Sequence, residues 1–380
     1  MRNMRSTSFV YAAALLTAST IGVGFFGIPS TMAQSGIGIG LIIFAVLSVF
    51  VVLSNLAFGE VVLRTHQRHQ FVGYVKRYLG RGARIVNQVN FWISGYGAMI
   101  AVLILNGSFA HNILAHFGVD IGKVTLGIFF LIIALILVYN GLKTVSHVDL
   151  AVMAAAIGII ALVAIAGLPN ISIEHFKFSS GVKWFLPFGV ILFALNGVQG
   201  IPLTREVLVG REHLYKKAIL IGSIIPIIAY FIFSVVVVGI SGPSTSEEAI
   251  LGLSSSLGDW VVLAGSLVGF LTSSTIFLSI CSAFRASLIE DFHLKRRRDF
   301  LFLMAPPVIL YLFGVQDFIR TIGLVGGVAV SIDMILLLFV YARAKNNGNR
   351  VPEYSLNIPR FVLYAMMLVF ALGAIYTIAT

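Results

Sequence analysis

The chain has few charged residues and a single cysteine. Charged side chains make up 11% of its 380 residues, whereas soluble domains carry roughly 25%. The lone cysteine, Cys281, excludes a disulfide within the chain and a metal cluster held by several thiolates. Hydrophobic residues account for 58% of the sequence, and the mean hydropathy is +0.99. This composition predicts an integral membrane protein.

The sequence also lacks a low-complexity tract, a long linker and a separate soluble domain. Crossing a bilayer requires about 20 apolar helical residues. Segments of this kind are read at 9–33, 37–62, 85–115, 122–139, 147–168, 184–209, 216–240, 259–288, 299–314, 318–343 and 358–379. We therefore predict an all-α membrane protein with eleven transmembrane helices, here numbered spans 1 to 11. Span 1 contains glycine and proline, and we expect it to be retained rather than cleaved as a leader.

Basic residues are rare on one side of the predicted membrane. If the N-terminus is cytoplasmic, all but four of the 26 lysines and arginines fall on the cytoplasmic side. The four exceptions are Lys123, Lys177, Lys183 and Arg320. This distribution follows the positive-inside rule and predicts a C-terminus outside. Because the clusters alternate between loops, the net charge of +11 does not indicate a nucleic-acid partner.

Motifs of intramembrane enzymes and of channels are missing from the sequence. It has no His-Glu-x-x-His, no Gly-x-Ser-x-Gly and no pair of intramembrane aspartates with a Gly-x-Gly-Asp phrase. Nothing resembles a carbonyl filter loop or a ring of like charges. We therefore predict that the protein is not an enzyme and not a channel.

A short phrase occurs twice, in spans 1 and 6. "VGFFGIPST" begins at Val23 and "NGVQGIPLT" begins at Asn196, and both contain Gly-x-x-Gly-Ile-Pro-x-Thr. Glycine and proline interrupt helices, and non-helical backbone inside a bilayer is tolerated where it lines a cavity or is buried in protein. Both phrases therefore predict broken helices. The alternative is that these residues only permit close packing or kinks.

The two phrases lie five spans apart, so the second copy would enter the membrane from the opposite side. This predicts a first repeat at 1–168, an inverted second repeat at 184–343, and a cytoplasmic linker with an extra C-terminal helix at 344–380. Inverted repeats with discontinuous helices are typical of secondary transporters, whose half-helix termini face the charged groups of a substrate.

At these residues the sequence resembles a known family. "TIGVGFFGIPSTMAQSG" is similar to the first helix of amino acid permeases of the amino acid-polyamine-organocation superfamily, especially the aromatic and hydroxy amino acid permeases. "FALNGVQGIPLTREVLVGREHLYKKAILIGSIIPIIAYFIF" is similar to their sixth and seventh helices. The resemblance covers about Ser8 to Lys345. It implies the leucine-transporter fold, a prokaryotic inner membrane location and an amino acid substrate.

The resemblance also implies a substrate site between the two breaks. The substrate carboxylate would meet backbone N–H groups of span 1, and its ammonium would meet carbonyls of span 6, with Phe193 as an aromatic gate. Gln199 stands where several relatives carry an acidic residue, which puts a proton-relay role there in doubt. Small residues beside Phe25 and Phe26 favour a neutral apolar or aromatic substrate. The candidate site residues are Gly22, Val23, Gly24, Tyr96, Phe193, Ala194, Asn196 and Gly197.

Span 8 has four consecutive hydroxyls in "LTSSTIFLSICSAFRASLIEDF". Oxygen ligands suit small hard cations, and "LTSS" with "LIEDF" resembles the eighth helix of sodium-coupled transporters of the leucine-transporter fold. The resemblance implies a Na+ site formed by carbonyls of Thr17, Thr20 and Gly269 with hydroxyls of Thr272 and Ser273. Span 5 has no lysine that could replace this cation. The alternative is that each hydroxyl bonds to the carbonyl four residues earlier.

Acidic residues within the spans leave the driving force open. Asp333 lies deep in span 10 and is our candidate for a gating or coupling residue, the alternative being a helix–helix hydrogen bond. Glu60 and Asp149 lie near cytoplasmic ends and are expected at the membrane interface, and His147 could titrate near neutral pH. Besides sodium-coupled import, the sequence leaves open a proton-coupled transporter and a sensor that binds amino acids without transporting them. No cofactor other than the coupling ion is predicted, and the expected partners are substrate and lipid.

Overall fold

The computed structural model describes the backbone of residues 2–140, 146–176, 183–291 and 297–379. Within these ranges it describes every side chain except those of 2–7, 146–147 and 285–303. The His147 side chain therefore lies outside the described residues. The described chain is helical and contains no strand. Its helices are α1 (Arg2–Thr20), α2 (Gly27–Ser35), α3 (Ile37–Arg64), α4 (Phe71–Leu79), α5 (Arg81–His116), α6 (Lys123–Tyr139), α7 (Ser146–Gly167), α8 (Leu186–Ala194), α9 (Gly200–Val207), α10 (Tyr215–Ser241), α11 (Ser254–Leu257), α12 (Asp259–Asp291), α13 (Arg297–Leu312), α14 (Phe318–Leu324), α15 (Ser331–Asn347) and α16 (Arg360–Ala379).

Seven helical stretches of the described chain are long and apolar enough to cross a membrane. They include α3, α5, α7, α10, α12, the continuous stretch from α14 to α15, and α16. Span 1 becomes the eighth if its two bent halves, α1 and α2, count as one crossing. These helices confirm a multi-pass membrane protein.

The remaining three predicted spans correspond to shorter helices. Span 4 is α6, an apolar helix of 17 residues. Span 6 is divided into α8 and α9, which have nine and eight residues. Span 9 is α13, with 16 residues. Each is shorter than the roughly 20 residues that cross a bilayer in one straight helix, so the count of eleven stays a prediction.

The repeated phrase explains where the second half of each broken span begins. Both α2 and α9 start at the second glycine of the phrase, Gly27 and Gly200. Proline is therefore the third helical residue in each, Pro29 and Pro202. The first four N–H groups of a helix have no partner within it, so the missing proline N–H costs no hydrogen bond there. The phrase thus fits the start of a helix rather than its middle.

The broken spans lie at the centre of the helix packing. Helix α1 packs against α9 and α10, while α8 packs against α2 and against the π-helical turn Val325–Val330 that joins α14 to α15. Helix α12 packs most extensively against α5. This arrangement brings segments far apart in sequence to the two breaks.

Candidate functional site

The first break lies between α1 and α2. A 3-10 turn at Val23–Phe26 separates them, and the two halves are bent by 57°. Near the break, the Ile21 N–H donates to the Thr17 carbonyl at 2.8 Å, and the buried Tyr230 hydroxyl donates to the Thr20 carbonyl at 3.1 Å. A side chain of α10 therefore supplies a hydrogen bond that the interrupted helix no longer makes.

The second break is the turn between α8 and α9. The Asn196 N–H donates to the Phe193 carbonyl at 3.3 Å, and the Gly200 N–H donates to the Gly197 carbonyl at 3.0 Å. The Asn196 side-chain oxygen is shielded from solvent and has no hydrogen-bond partner among the described residues. A buried polar atom without a partner is costly, so this oxygen is well suited to accept a hydrogen bond from a bound ammonium group.

The two breaks lie against each other. A Cβ atom at Gly24 would be 2.7 Å from the Ala194 Cα and 2.8 Å from the Phe193 ring. A Cβ at Gly197 would collide with the Thr20 hydroxyl. The structure therefore brings together Gly24, Phe193 and Ala194, which the sequence placed in one site. Glycine is required at position 24 because the Ala194 backbone approaches too closely for a side chain, whereas glycine at position 197 leaves space for the Thr20 side chain.

Aromatic side chains surround the first break. The rings of Phe25 and Phe26 are buried and stacked with centroids 4.0 Å apart. Tyr230 stacks on Phe25 at 5.5 Å, and Phe109 contacts Phe26 at 4.9 Å. Such surroundings favour an apolar or aromatic group beside the polar backbone atoms of the breaks.

The hydroxyls of α12 bond to carbonyls four residues earlier in the same helix, which was the alternative to a cation site. Thr272 Oγ1 donates to the Val268 carbonyl at 2.8 Å, and Ser273 Oγ lies 2.7 Å from the Gly269 carbonyl. A donating hydroxyl keeps its lone pairs, so these oxygens still fit a cation site. Gly22 links the first break to α12, because a Cβ there would be 3.5 Å from Ile276 Cδ1.

Asn106 is a buried polar residue that the sequence reasoning missed. Its side-chain oxygen lies 2.7 Å from Ser273 Oγ, and its Nδ2 has no hydrogen-bond partner among the described residues. Asn106 lies one helical turn from Phe109 on α5, on the side that faces α12. An asparagine within the apolar phrase "VLILNGSF" was the available signal.

Tyr96 and Asp333 lie elsewhere in the helix packing. The ring of Tyr96 contacts Phe284 with centroids 5.4 Å apart. Asp333 Oδ1 accepts hydrogen bonds from Nδ2 of both Asn87 and Asn90, each at 2.8 Å. Asp333 therefore connects α15 to α5, and it is the third residue after the π-helical turn. This is the helix–helix hydrogen bond that the sequence analysis left open, and a coupling role stays a prediction.

Glu60 lies near the end of α3 but is fully buried in protein. Its carboxylate accepts from Arg64 Nε at 2.7 Å and from the Leu356 N–H at 2.6 Å, and Lys345 Nζ lies 3.2 Å away. Glu60 was expected at the membrane interface because it lies near the cytoplasmic end of span 2. The segment between α15 and α16, which the expectation did not consider, folds back over the carboxylate.

The long apolar helices, with two broken spans that meet among them, define a multi-pass membrane protein. The profile of the tryptophan/tyrosine permease family matches residues 5–379, and the chain belongs to this family. It is a transport protein and not an enzyme.

Named relatives include transporters of different amino acids. The chain is 23% identical to tyrosine-specific transport system 2 of Haemophilus influenzae, with 94% of this chain and 93% of the relative covered. It is 21% identical to a tryptophan-specific transport protein of Shigella flexneri, with 97% and 94% covered. Glutamine transporter 2 of Aliivibrio fischeri is 18% identical over 60% of each chain.

Proposed function

We propose that the protein is a secondary active transporter that imports neutral, aromatic amino acids by alternating access. The observation that carries this proposal is the contact of the two breaks, with Gly24 against Phe193 and Ala194. Backbone N–H groups and carbonyls exposed by two broken helices can bind both ends of a zwitterion without a buried side-chain charge. Membership of the tryptophan/tyrosine permease family supports an aromatic substrate.

The substrate would lie with its carboxylate at the N–H groups of Gly22, Val23 and Gly24. Its ammonium would face the carbonyls at the end of α8 and the unpartnered oxygen of Asn196. The substrate ring would pack within the aromatic shell of Phe25 and its neighbours. Phe193 would cover this site, since its ring already lies beside the Gly24 backbone.

The proposal extends to the arrangement of the chain in the membrane. Eleven spans, in two inverted five-span repeats of the leucine-transporter fold plus a final helix, would place the N-terminus in the cytoplasm and the C-terminus outside. The prokaryotic inner membrane is the proposed location. The equivalent starts of α2 and α9 support this arrangement, because both begin with Gly-Ile-Pro.

Coupling to sodium is the proposed driving force. The ligands would be the carbonyls of Thr17, Thr20 and Gly269 with the hydroxyls of Thr272 and Ser273. All five are neutral oxygens with lone pairs beyond the hydrogen bonds they make. The alternative is proton coupling, for which Asp333 is the candidate, because its carboxylate is held by two amide donors and no described cation forms an ion pair with it.

The proposal can be tested by uptake into proteoliposomes. Labelled tyrosine, tryptophan, leucine and glutamine are offered with an inward gradient of Na+, with choline in its place, and with a proton gradient alone. Saturable uptake of tyrosine or tryptophan that requires Na+ is the expected result. Uptake driven by protons alone would overturn sodium coupling but keep the substrate class. Preference for glutamine or leucine would overturn the aromatic assignment.

A sensor would bind without transporting. Counterflow separates the two, because a transporter exchanges internal unlabelled tyrosine for labelled tyrosine outside even without an ion gradient. Thermal stabilisation of the purified protein by ligand, through mass action, reports binding alone. Stabilisation without counterflow would establish the sensor and overturn the transporter.

A further inference from the structure

A cavity lies apart from the two breaks, between the ends of α2, α8, α14 and α16. Its volume is about 730 Å³, which is within the range of about 300–1,000 Å³ for small-molecule sites. The proposed topology puts it on the outer side of the membrane. None of the residues assigned above to the substrate or to sodium lines it.

The cavity is one helical turn from the proposed gate. Gly189 of α8 and Gly323 of α14 form part of its wall. Phe193 follows Gly189 by four residues and therefore lies on the same face of the helix, one turn deeper. A Cβ at Gly326 would be 2.8 Å from Phe193 Cβ. Phe193 thus lies beside Gly24 of the first break and beside Gly326, which follows the cavity-lining Gly323 by three residues.

The wall carries both signs of charge. Lys183 and Arg320 line it together with Glu247 and Asp317. These two cations are among the four basic residues that the sequence placed on the outer side. Lys183 Nζ donates to the Gln34 side chain at 3.1 Å. Among the described residues, no ion pair joins either cation to Glu247 or Asp317. Asp317 Oδ1 accepts from the Arg320 N–H at 2.7 Å as the N-cap of α14, and a carboxylate that accepts one hydrogen bond keeps further lone pairs for a ligand.

Three carboxylates lie close together at the acidic part of the wall, and Lys123 Nζ lies 3.9 Å from one of them, Glu248. Partial desolvation raises the pKa of the Glu247 carboxyl, and the nearby carboxylates of Asp317 and Glu248 raise it further, although Lys123 and a hydrogen bond to the Phe318 backbone oppose this. Like charges held together disfavour ionisation. A cation bound beside Glu247 and Asp317 would relieve this repulsion, and the cavity geometry leaves room for one.

Aromatic rings form the remaining wall. Phe185 and Tyr376 line the cavity with ring centroids 4.5 Å apart. Phe188 stacks on Phe185 at 4.7 Å, and Trp184 contacts Tyr376 at 5.5 Å. A ligand with one positive end, one negative end and an aromatic ring matches this combination of groups.

We propose that this cavity is an outer binding site for the zwitterion of an aromatic amino acid, which is held there before it passes Phe193. The ammonium binds at Glu247 and Asp317, the carboxylate at Arg320 and Lys183, and the ring against Phe185 and Tyr376. The direction of passage rests on the proposed function, whereas the presence of the site does not.

Binding stoichiometry tests the proposal. Labelled tyrosine is titrated against the full-length protein in lipid nanodiscs, and bound molecules per protein are counted. Wild type is expected to bind two, the double variant Arg320→Gln/Glu247→Gln one, and Gly24→Val one. Both substituted charges of the double variant are exposed, so it should fold normally. Glu174→Gln, an exposed carboxylate outside the cavity, is the matched control and should bind two.

Two bound molecules in the double variant, or one in wild type, would overturn the outer site. No bound tyrosine or tryptophan in wild type would instead count against the proposed substrate class. In uptake measurements the double variant should show a KM about tenfold higher with an unchanged maximal rate, since partly exposed charge pairs each contribute up to about 1 kcal/mol. A KM equal to that of Glu174→Gln would contradict a role in transport.

Discussion

Substitution Gly24→Ala tests whether contact of the two breaks forms the substrate site. The added carbon would lie 2.7 Å from the Ala194 Cα, 2.8 Å from the Phe193 ring and 2.9 Å from the Ala194 Cβ. Carbon atoms pack favourably at about 3.5–4.0 Å, so the new atom is about 0.8 Å too close to backbone. Because a backbone atom cannot rotate away, the end of α8 has to move.

Overpacking of this kind costs typically 1–3 kcal/mol. If substrate binds only when the breaks are in contact, this cost falls on the bound state and lowers affinity by about 5-fold to 150-fold, at 1.4 kcal/mol for each factor of ten. A cost shared equally by all conformations would lower stability and leave affinity unchanged. The two outcomes are therefore distinguishable.

Affinity for tyrosine and tryptophan is measured by equilibrium binding, and stability by thermal unfolding without ligand. Gly158→Ala is the control, because a Cβ at this helical glycine meets no atom within 4 Å. Wild-type affinity in Gly24→Ala would refute the placement of substrate at the meeting of the breaks. Equal losses in Gly24→Ala and Gly158→Ala would refute the steric explanation.

Three further substitutions test the ion site, Asp333 and the buried carboxylate of α3. Thr272→Ala with Ser273→Ala should raise the Na+ concentration for half-maximal uptake about tenfold, whereas Ser256→Ala, at an exposed serine, should not; equal sodium curves would contradict the assignment. Asp333→Asn should keep sodium-dependent uptake, because the proposed ligands lie on α1 and α12; loss of sodium dependence would place coupling at Asp333. Glu60→Gln should destabilise the protein by about 3–5 kcal/mol in thermal unfolding, because breaking a buried ion pair leaves partly buried cations unpaired; an unchanged melting temperature would contradict this.

Local features of the sequence predicted the breaks correctly. Glycine and proline act on the backbone of their own segment, so Gly24 and Gly197 indicated the breaks, and Pro29 lies in the first turn of the helix that follows the first break. That the two breaks meet was implied by the family resemblance and not by these local features. The close approach of Gly24 to Ala194 agrees with that inference.

Long-range polar contacts were not readable from the sequence. Tyr230 bonds to the first break from a helix more than 200 residues away. Asn106 bonds to Ser273 across 167 residues. The contact of Glu60 with Leu356 depends on how a distant loop folds, which the position of Glu60 near the end of its helix did not indicate. Pairings of this kind are set by tertiary packing, which leaves no periodic signal in either partner.

The repeated phrase encodes a helix start but not its partner. In both copies the threonine hydroxyl bonds within its own helix, Thr31 to the Ile28 carbonyl at 2.9 Å and Thr204 to the Gly200 carbonyl at 2.8 Å. The neighbours of the second glycine differ. A Cβ at Gly27 would meet side chains of α14, whereas a Cβ at Gly200 would be 2.6 Å from the Ser19 hydroxyl of α1. Two copies of one phrase, both of which begin a helix, therefore pack against two different surfaces. The phrase alone thus predicts a break, and only the packing around each copy determines which helices that break can approach.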